Sequence, residues 1–312
     1  MKRVLAFAPA SIGNFMAGFD VLGAAIAPLE GPPLGDQVEL RLDQGAGFRM
    51  SGPFAHRLPA RPEDNLALKT CAAFARAWGR PLPPLAIHLH KQLPVGSGLG
   101  SSSATVVATL AALDALLEAG LDPAAQLRVC GEAEGQGCGA AHLDNVAPSL
   151  LGGLRLVDPE ARPLLLPFPE RLALAVVSPE LELNTRESRQ VLPPRVPMAL
   201  AVAHAQNLAA LVFALLADDP GLLRGCLRDL LAEPHRAVLV PGFRAVQAAA
   251  LEQGAEGCSL SGAGPAIFAV AARDRAAAVA EAMVQAWTRA GVRSQARVCR
   301  VDPQGARILE RS

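Results

Sequence analysis

Leu93-Pro94-Val95-Gly96-Ser97-Gly98-Leu99-Gly100-Ser101-Ser102-Ser103-Ala104 is the stretch on which the reading of this chain turns. Before it, Leu85, Ile87 and Leu89 alternate with polar His88 and His90, the period of a half-buried strand. After it, Ser101 to Glu118 reads as one long helix. Small residues between a strand and a helix let the backbone approach a ligand closely and turn several N–H groups toward one centre. The helix N-terminus adds about half a positive charge. Pro94, Gly96, Ser97, Gly98, Leu99, Gly100, Ser101, Ser102 and Ser103 thus form an anion cradle that needs no lysine. The hydroxyls of Ser101 and Ser102 are candidates to bond a phosphate or complete a magnesium shell, and the choice between them is open. A dinucleotide fold is not expected, because Ser101 stands where G-x-G-x-x-G needs its third glycine.

Composition closes two common routes to nucleotide. The 312 residues carry 29 basic and 29 acidic side chains, and only Lys2, Lys69 and Lys91 are lysines, which leaves 26 arginines. A P-loop NTPase needs a lysine directly after its glycine loop, and a protein kinase needs one on a strand beneath the phosphates. None of the three stands in either setting. Zero net charge, no Tyr and two Trp argue against nucleic acid as a partner. With 51% hydrophobic and 19% charged residues the chain can pack a core, and its length suggests two domains or one large one. The six cysteines form no C-x-x-C pair and no zinc spacing with histidine, so they read as buried thiols in a reducing compartment. The apolar run Val4 to Ala8 is too short for a signal peptide, and a cytoplasmic, soluble protein is expected. Ala199 to Ala217 is the most membrane-like stretch. It contains His204, Gln206 and Asn207, and is read as a core helix with no membrane partner.

Outward from the loop, Arg3 to Ala8, Gln37 to Leu42, Leu172 to Val177 and Ser294 to Val301 read as strands, the last one closing the chain. Asn65 to Trp78 and Arg275 to Thr288 read as helices, and Pro123 opens another at a favoured first-turn position. Three or four Ala/Leu-rich helices and two short strands around Gly262 complete the second half. This irregular order predicts an α+β fold in two layers, not a doubly wound sheet. Gly152-Gly153 and Pro159 to Pro169 break the pattern, which places a domain boundary between 1–158 and 159–312.

Pro94 to Ser102 also resembles the phosphate-loop motif of the GHMP small-molecule kinases. Pro9-Ala10-Ser11-Ile12-Gly13-Asn14 with Gly18-Phe19-Asp20 is similar to that superfamily's N-terminal motif, and Gly257 to Pro265 to its C-terminal glycine-rich motif. Within it, His142-Leu143-Asp144-Asn145-Val146-Ala147-Pro148, Asn184 to Arg189 and Glu233-Pro234-His235-Arg236 resemble the homoserine kinases. Gly13, Phe15 and Met16 depart from the family's usual Ala, Leu and Gly. The resemblance implies a two-domain GHMP kinase fold, with the site between an N-terminal ATP-binding α+β domain and a C-terminal ferredoxin-like one, and a homodimer.

It also implies roles. The expected reaction moves the γ-phosphoryl of MgATP to the hydroxyl of L-homoserine, a step in threonine biosynthesis. By resemblance Arg189 and Arg236 clamp the substrate carboxylate, a task suited to the planar guanidinium fork. Asp20, supported by Asn14, accepts the ammonium, unless it is only a turn residue after Gly18. His142 lines the same pocket or serves structure. Glu134 occupies the family's magnesium position, and Glu132, two residues away, is its control. Asn145 is expected to orient the hydroxyl, with Asp144 secondary and Thr185 near the transferring phosphoryl group. Loose phosphoryl transfer rests on positioning and charge neutralisation, so it needs no strong base. Two alternatives stand beside this reading: a GHMP kinase for a mevalonate-type alcohol, and a non-catalytic nucleotide-binding regulator.

Overall fold

The computed structural model describes residues 2–43, 45, 47–138 and 143–312, with side chains for all of these except 136–138 and 185. The first half contains β1 (Arg3–Pro9), β2 (Ser11–Ile12), β3 (Leu22–Pro28), β4 (Gly35–Leu42), β5 (Gly47–Ser51), α1 (Leu66–Trp78), β6 (Leu85–His90), α2 (Ser101–Leu117), α3 (Pro123–Cys138), α4 (Leu143–Leu151) and β7 (Leu154–Val157). The second contains β8 (Pro163–Leu166), β9 (Leu172–Pro179), α5 (Thr185–Gln190), α6 (Met198–Ala217), α7 (Pro220–Cys226), α8 (Glu233–Arg236), α9 (Phe243–Glu252), β10 (Gly257–Leu260), β11 (Ile267–Ala272), α10 (Ala276–Arg289), β12 (Ser294–Val301) and β13 (Arg307–Arg311).

Sheets and helices are mixed along the chain, as the α+β reading expected. A five-stranded sheet runs β13-β1-β4-β6-β5, antiparallel except where β5 pairs with β6. A second sheet runs β10-β11-β9-β12-β3-β7-β8, with β2 on β3. α2 packs on β1 and β4, and α1, α3 and α4 surround it. Apolar side chains around most of its circumference are therefore buried, which is why its sequence shows no polar face. α10 covers β9, β11 and β12, and α9 lies beside it. Local signals set the ends: the Asn65 side chain caps α1 and Gly79 closes it at φ 73°, while Gly100 at φ 63° starts α2.

Four elements differ from expectation. β5 was unexpected, since Gly47–Ser51 lacks a clean alternation. The proline-rich stretch carries a hairpin, β7 with β8, at the sheet edge, where Pro163 removes no central ladder bond. β12 does not close the chain: β13 returns to pair with β1, and both sheets join strands from either side of residue 158. Most consequentially, α6 is a surface helix and not a core one. Only His204, Leu211, Ala214 and Leu215 are buried, while Met198, Val202, Phe213 and Leu216 face outward. Composition alone could not tell a buried apolar helix from an exposed one. Among the described residues it is the one helix long and apolar enough to cross a membrane.

His88 and His90 share one side of β6, where Ser51 Oγ lies 2.8 and 2.9 Å from their rings. Among the described residues no three His, Cys, Asp or Glu side chains gather to hold a metal. Cys71, Cys130, Cys226, Cys258 and Cys299 are buried free thiols. Burial pushes Cys71 and Cys299 up to about 12, far from a reactive thiolate. The Cys138 side chain lies outside the described residues.

Candidate active site

The glycine-rich loop joins β6 to α2, and two features of its structure call for glycine: positive φ and close contact with neighbouring protein atoms. Gly96, Gly98 and Gly100 have φ of 67°, 80° and 63°, a region that favours glycine. A Cβ on Gly98 would lie 2.5 Å from the Ser261 carbonyl oxygen, and one on Gly100 would lie 2.0 Å from Ser11 Oγ. The sequence suggested small residues for contact with a ligand. In the fold, Gly98 and Gly100 are held against protein as well. Ser261 Oγ donates to the Gly98 carbonyl, and Ala266 N donates to Ser97 O at 3.0 Å, so the C-terminal glycine-rich segment seats the loop from behind.

The serines at the start of α2 divide in direction. Ser101 Oγ donates to the Leu93 carbonyl at 3.3 Å. Ser102 Oγ and Ser103 Oγ both donate to Glu134 Oε1 on α3, the latter at 2.7 Å. Glu134 is 1% exposed, whereas Glu132 on the same helix faces the surface and pairs with Arg76. One buried carboxylate beside the Ser102 and Ser103 hydroxyls, at the start of α2, is a hard-oxygen donor set that fits magnesium.

α4 brings Asp144 and Asn145 to the N-terminal motif. Asn14 N donates to Asp144 Oδ2 at 2.9 Å, and Ser11 Oγ donates to Asn145 Oδ1 at 3.0 Å. Asn145 Nδ2 faces Asp144 Oδ1 at 3.4 Å; a carboxylate only accepts, so the nitrogen belongs on that side. Gly13 makes this approach possible, because a Cβ there would lie 2.2 Å from Asn145 Nδ2. The motif's backbone is strained: Asn14, Met16 and Asp20 have φ of 54°, 54° and 58°. Such strain in non-glycine residues collects where surrounding contacts over-determine it, often at functional sites. The Asn14 side chain is fixed by two bonds, from Nδ2 to Gly262 O at 3.0 Å and from Asp20 N to its Oδ1 at 2.8 Å.

The charged residues meet beside this cluster. Arg189 on α5 forms a bidentate pair with Asp20. Arg236 on α8 is 3% exposed and donates from Nε to Ser188 O and from Nη1 to Gly262 O, each at 3.1 Å. Burial pulls its pKa down, yet arginine keeps its charge in proteins. The Arg189 and Arg236 guanidiniums lie 5.9 and 5.4 Å from the centroid of the Phe19 ring, a cation–π platform for both. The Asp20 hydrogen bond raises the pKa of Arg189.

Thus Asn14, Asp20, Asp144, Asn145, Arg189, Arg236, the loop and Glu134 converge where the two halves of the chain meet. His142 lies outside the described residues, as does the side chain of Thr185, whose backbone opens α5. Sequence reasoning assigned no role to Ser11, Phe19, Ser261 or Gly262, although all four lie inside the quoted motifs. The signal was there, but only three-dimensional proximity shows that Ser11 reaches Asn145. A cavity of about 460 Å³ lies elsewhere, at Arg171, Leu223, Glu256 and Asp274, and shares no residue with this cluster. Chemistry, not volume, locates the site.

The family models agree with this geometry. The GHMP kinases N terminal domain matches residues 65–153, and the GHMP kinases C terminal model matches residues 211–289. The chain belongs to the GHMP kinases and has their two-domain fold: it is a small-molecule kinase with a nucleotide substrate. Among solved structures it is similar to the homoserine kinase of Cytophaga hutchinsonii, at 36% identity over 98% of this chain and 97% of that one, with a TM-score of 0.91. A Listeria monocytogenes protein provisionally termed a homoserine kinase shares 26% identity over 99% and 100% of the two chains, TM-score 0.70. The mevalonate kinase of L. major shares the fold at 16% identity over 96% of each chain, TM-score 0.69.

Proposed function

We propose that this chain transfers the γ-phosphoryl group of MgATP to the hydroxyl of L-homoserine, giving O-phospho-L-homoserine for threonine biosynthesis. The observation that carries the reading is the charge pattern beside Asn145: one carboxylate, Asp20, and two guanidiniums, Arg189 and Arg236, over one aromatic ring. That pattern complements an amino acid, whose ammonium pairs with Asp20 and whose carboxylate pairs with the arginines. The 36% identity to a homoserine kinase over nearly the full chain supports the same acceptor.

In this reading the loop amides and the α2 N-terminus hold the phosphates. Glu134 and Ser102 hold magnesium, which neutralises phosphate charge when bound. Asn145 offers an Nδ2 hydrogen to the substrate hydroxyl oxygen, leaving a lone pair free to attack and the proton free to leave to phosphate or water. Asp144 spends one carboxylate oxygen on Asn14 N, which suits an anchor better than a general base. Thr185 begins the helix that carries Arg189, close in sequence to the clamp.

A coupled assay of ADP release tests the assignment. The panel is L-homoserine, mevalonate, the hydroxy acid lacking the ammonium, and the amino alcohol lacking the carboxylate. Turnover is expected for homoserine and strong loss for each analogue. Preference for mevalonate would move the chain to another acceptor, and no turnover of any alcohol would leave a non-catalytic nucleotide binder.

A further inference from the structure

Lys91 is one of three lysines and stands just before the glycine-rich loop, yet its ammonium is buried and bonded within the protein. Its side chain is 1% exposed, and its three N–H donors meet three acceptors: Asp36, the Ser101 carbonyl at 2.7 Å and Thr105 Oγ1 at 3.0 Å. Asp36, on β4 and fully buried, spends Oδ1 on Gln92 N at 2.9 Å and Leu93 N at 3.0 Å. Its Oδ2 accepts from Lys91 and from Thr105 Oγ1, the latter at 2.8 Å. Thr105 therefore accepts from the lysine and donates to the aspartate, and no group in the cluster is used inconsistently. Gln92 and Leu93 are where the loop begins, and Ser101 is where it ends.

We propose that Lys91, Asp36 and Thr105 form a buried clamp that fixes both ends of the phosphate loop, making Lys91 a positioning residue for nucleotide binding. All three N–H donors of the ammonium are spent on protein acceptors. The ammonium holds the carbonyl of the first α2 residue at a set distance from the strand that delivers the loop. The three orphan N–H groups at the helix start then face the cradle with no freedom to splay. Replacing a buried ion pair by uncharged groups is often neutral for stability, whereas removing one partner leaves a costly unpaired charge. The contribution of this pair accordingly lies in loop geometry more than in global stability. The proposal rests on the reading of residues 94–103 as the phosphate site.

The test is a pair of measurements on full-length protein: equilibrium affinity for MgATP, and amide hydrogen exchange of residues 94–103 without nucleotide. In Lys91→Met with Asp36→Asn neither residue is charged, and the amide oxygen can still accept from Gln92 and Leu93. ATP affinity is expected to fall about tenfold or more, the scale of a lost charge-assisted hydrogen bond, and loop amides to exchange faster while β12 amides do not. Leu113→Ala, deep in α2, controls for general destabilisation and is expected to leave ATP affinity unchanged. A folded double variant with wild-type affinity and wild-type loop exchange overturns the clamp. If the double variant does not fold, Thr105→Val asks the same question without touching a charge: a several-fold weaker ATP affinity supports the clamp, and no change overturns it. Wild-type protein that fails to bind ATP would instead sink the phosphate-site reading, while the ligand-free exchange comparison would still judge the clamp.

Discussion

Arg189 and Asp20 close on each other in a bidentate ion pair, Nη1 to Oδ1 at 3.1 Å and Nη2 to Oδ2 at 2.6 Å. The two were read from sequence as receptors for opposite ends of one zwitterion. Under the proposed function an amino acid entering between them would exchange partners: its carboxylate would take the place of Asp20 on Arg189, and its ammonium the place of Arg189 on Asp20. A ligand with one charge leaves one of the pair unmatched.

Arg189→Lys therefore should raise KM for homoserine by about 10–100-fold, the worth of a charge-assisted bidentate contact, and spare KM for ATP. A lysine keeps the charge but not the fork. Initial-rate kinetics with each substrate varied in turn decides it. A fall in ATP affinity instead would mean the arginine serves the nucleotide.

For Asp144 the expectation is a small effect on chemistry. Its Oδ2 is committed to Asn14 N, and Asp144→Asn can keep an oxygen acceptor there. Turnover is predicted to fall by less than about tenfold. General base catalysis contributes about 10²–10⁴, so a loss beyond about 10³ with binding intact would restore Asp144 as the base.

Gly13→Ala is predicted to be more damaging than Asp144→Asn. A methyl group 2.2 Å from Asn145 Nδ2 and 2.6 Å from Asp144 Oδ2 leaves neither side chain where it stands. The measurement is kcat against KM: kcat should fall at least tenfold, since a misplaced hydroxyl loses the proximity advantage, while ATP affinity is held by the separate loop. Ser11→Ala, which frees Asn145 to flip, should shift kcat in the same direction.

The glycine-rich loop with its flanking strand and helix, and the mixed α+β architecture, were legible in the sequence, because each rests on local pattern and turn chemistry. The partners were not. Ser11 reaches Asn145 across 134 positions, and Ser261 reaches Gly98 across 163, so no window of sequence contains either contact. The surface position of α6 was illegible for a different reason: an apolar helix announces that it can be buried, not that it is. The return of β13 to β1 was hidden because an exposed edge strand such as Arg307–Arg311 has no hydrophobic alternation to show. Gly13 was noted as a departure, and its meaning needed the position of Asn145.

Three histidines predict how stability follows pH. Burial lowers the pKa of His88, His90 and His204 below the ordinary histidine value, and Asp229, 4.0 Å from His204, only partly opposes this. The unfolded chain then binds more protons than the folded one as pH falls through about 6.5, so folding stability must drop on the acid side of that value. His204→Gln keeps a donor but cannot titrate. Its thermal midpoint should fall less steeply than that of the wild type between about pH 7.5 and 5.5. Parallel slopes in differential scanning calorimetry would show that His204 does not carry the effect.

Glu134 and Glu132 make a built-in comparison for the metal. Both sit on α3 two residues apart, but Glu134 is buried against the hydroxyls of Ser102 and Ser103 while Glu132 pairs with Arg76 at the surface. Glu134→Gln retains size and hydrogen bonding but removes the charge a divalent cation needs. The variant should require a higher magnesium concentration for half-maximal rate, by about tenfold or more given a lost charged oxygen ligand. Glu132→Gln should leave that concentration unchanged. Magnesium titration at fixed, saturating ATP separates this from a nucleotide effect, because a variant impaired only in ATP binding recovers with more nucleotide and not with more metal. If both variants titrate alike, the buried carboxylate serves α2 packing and the metal is held by phosphate and water alone.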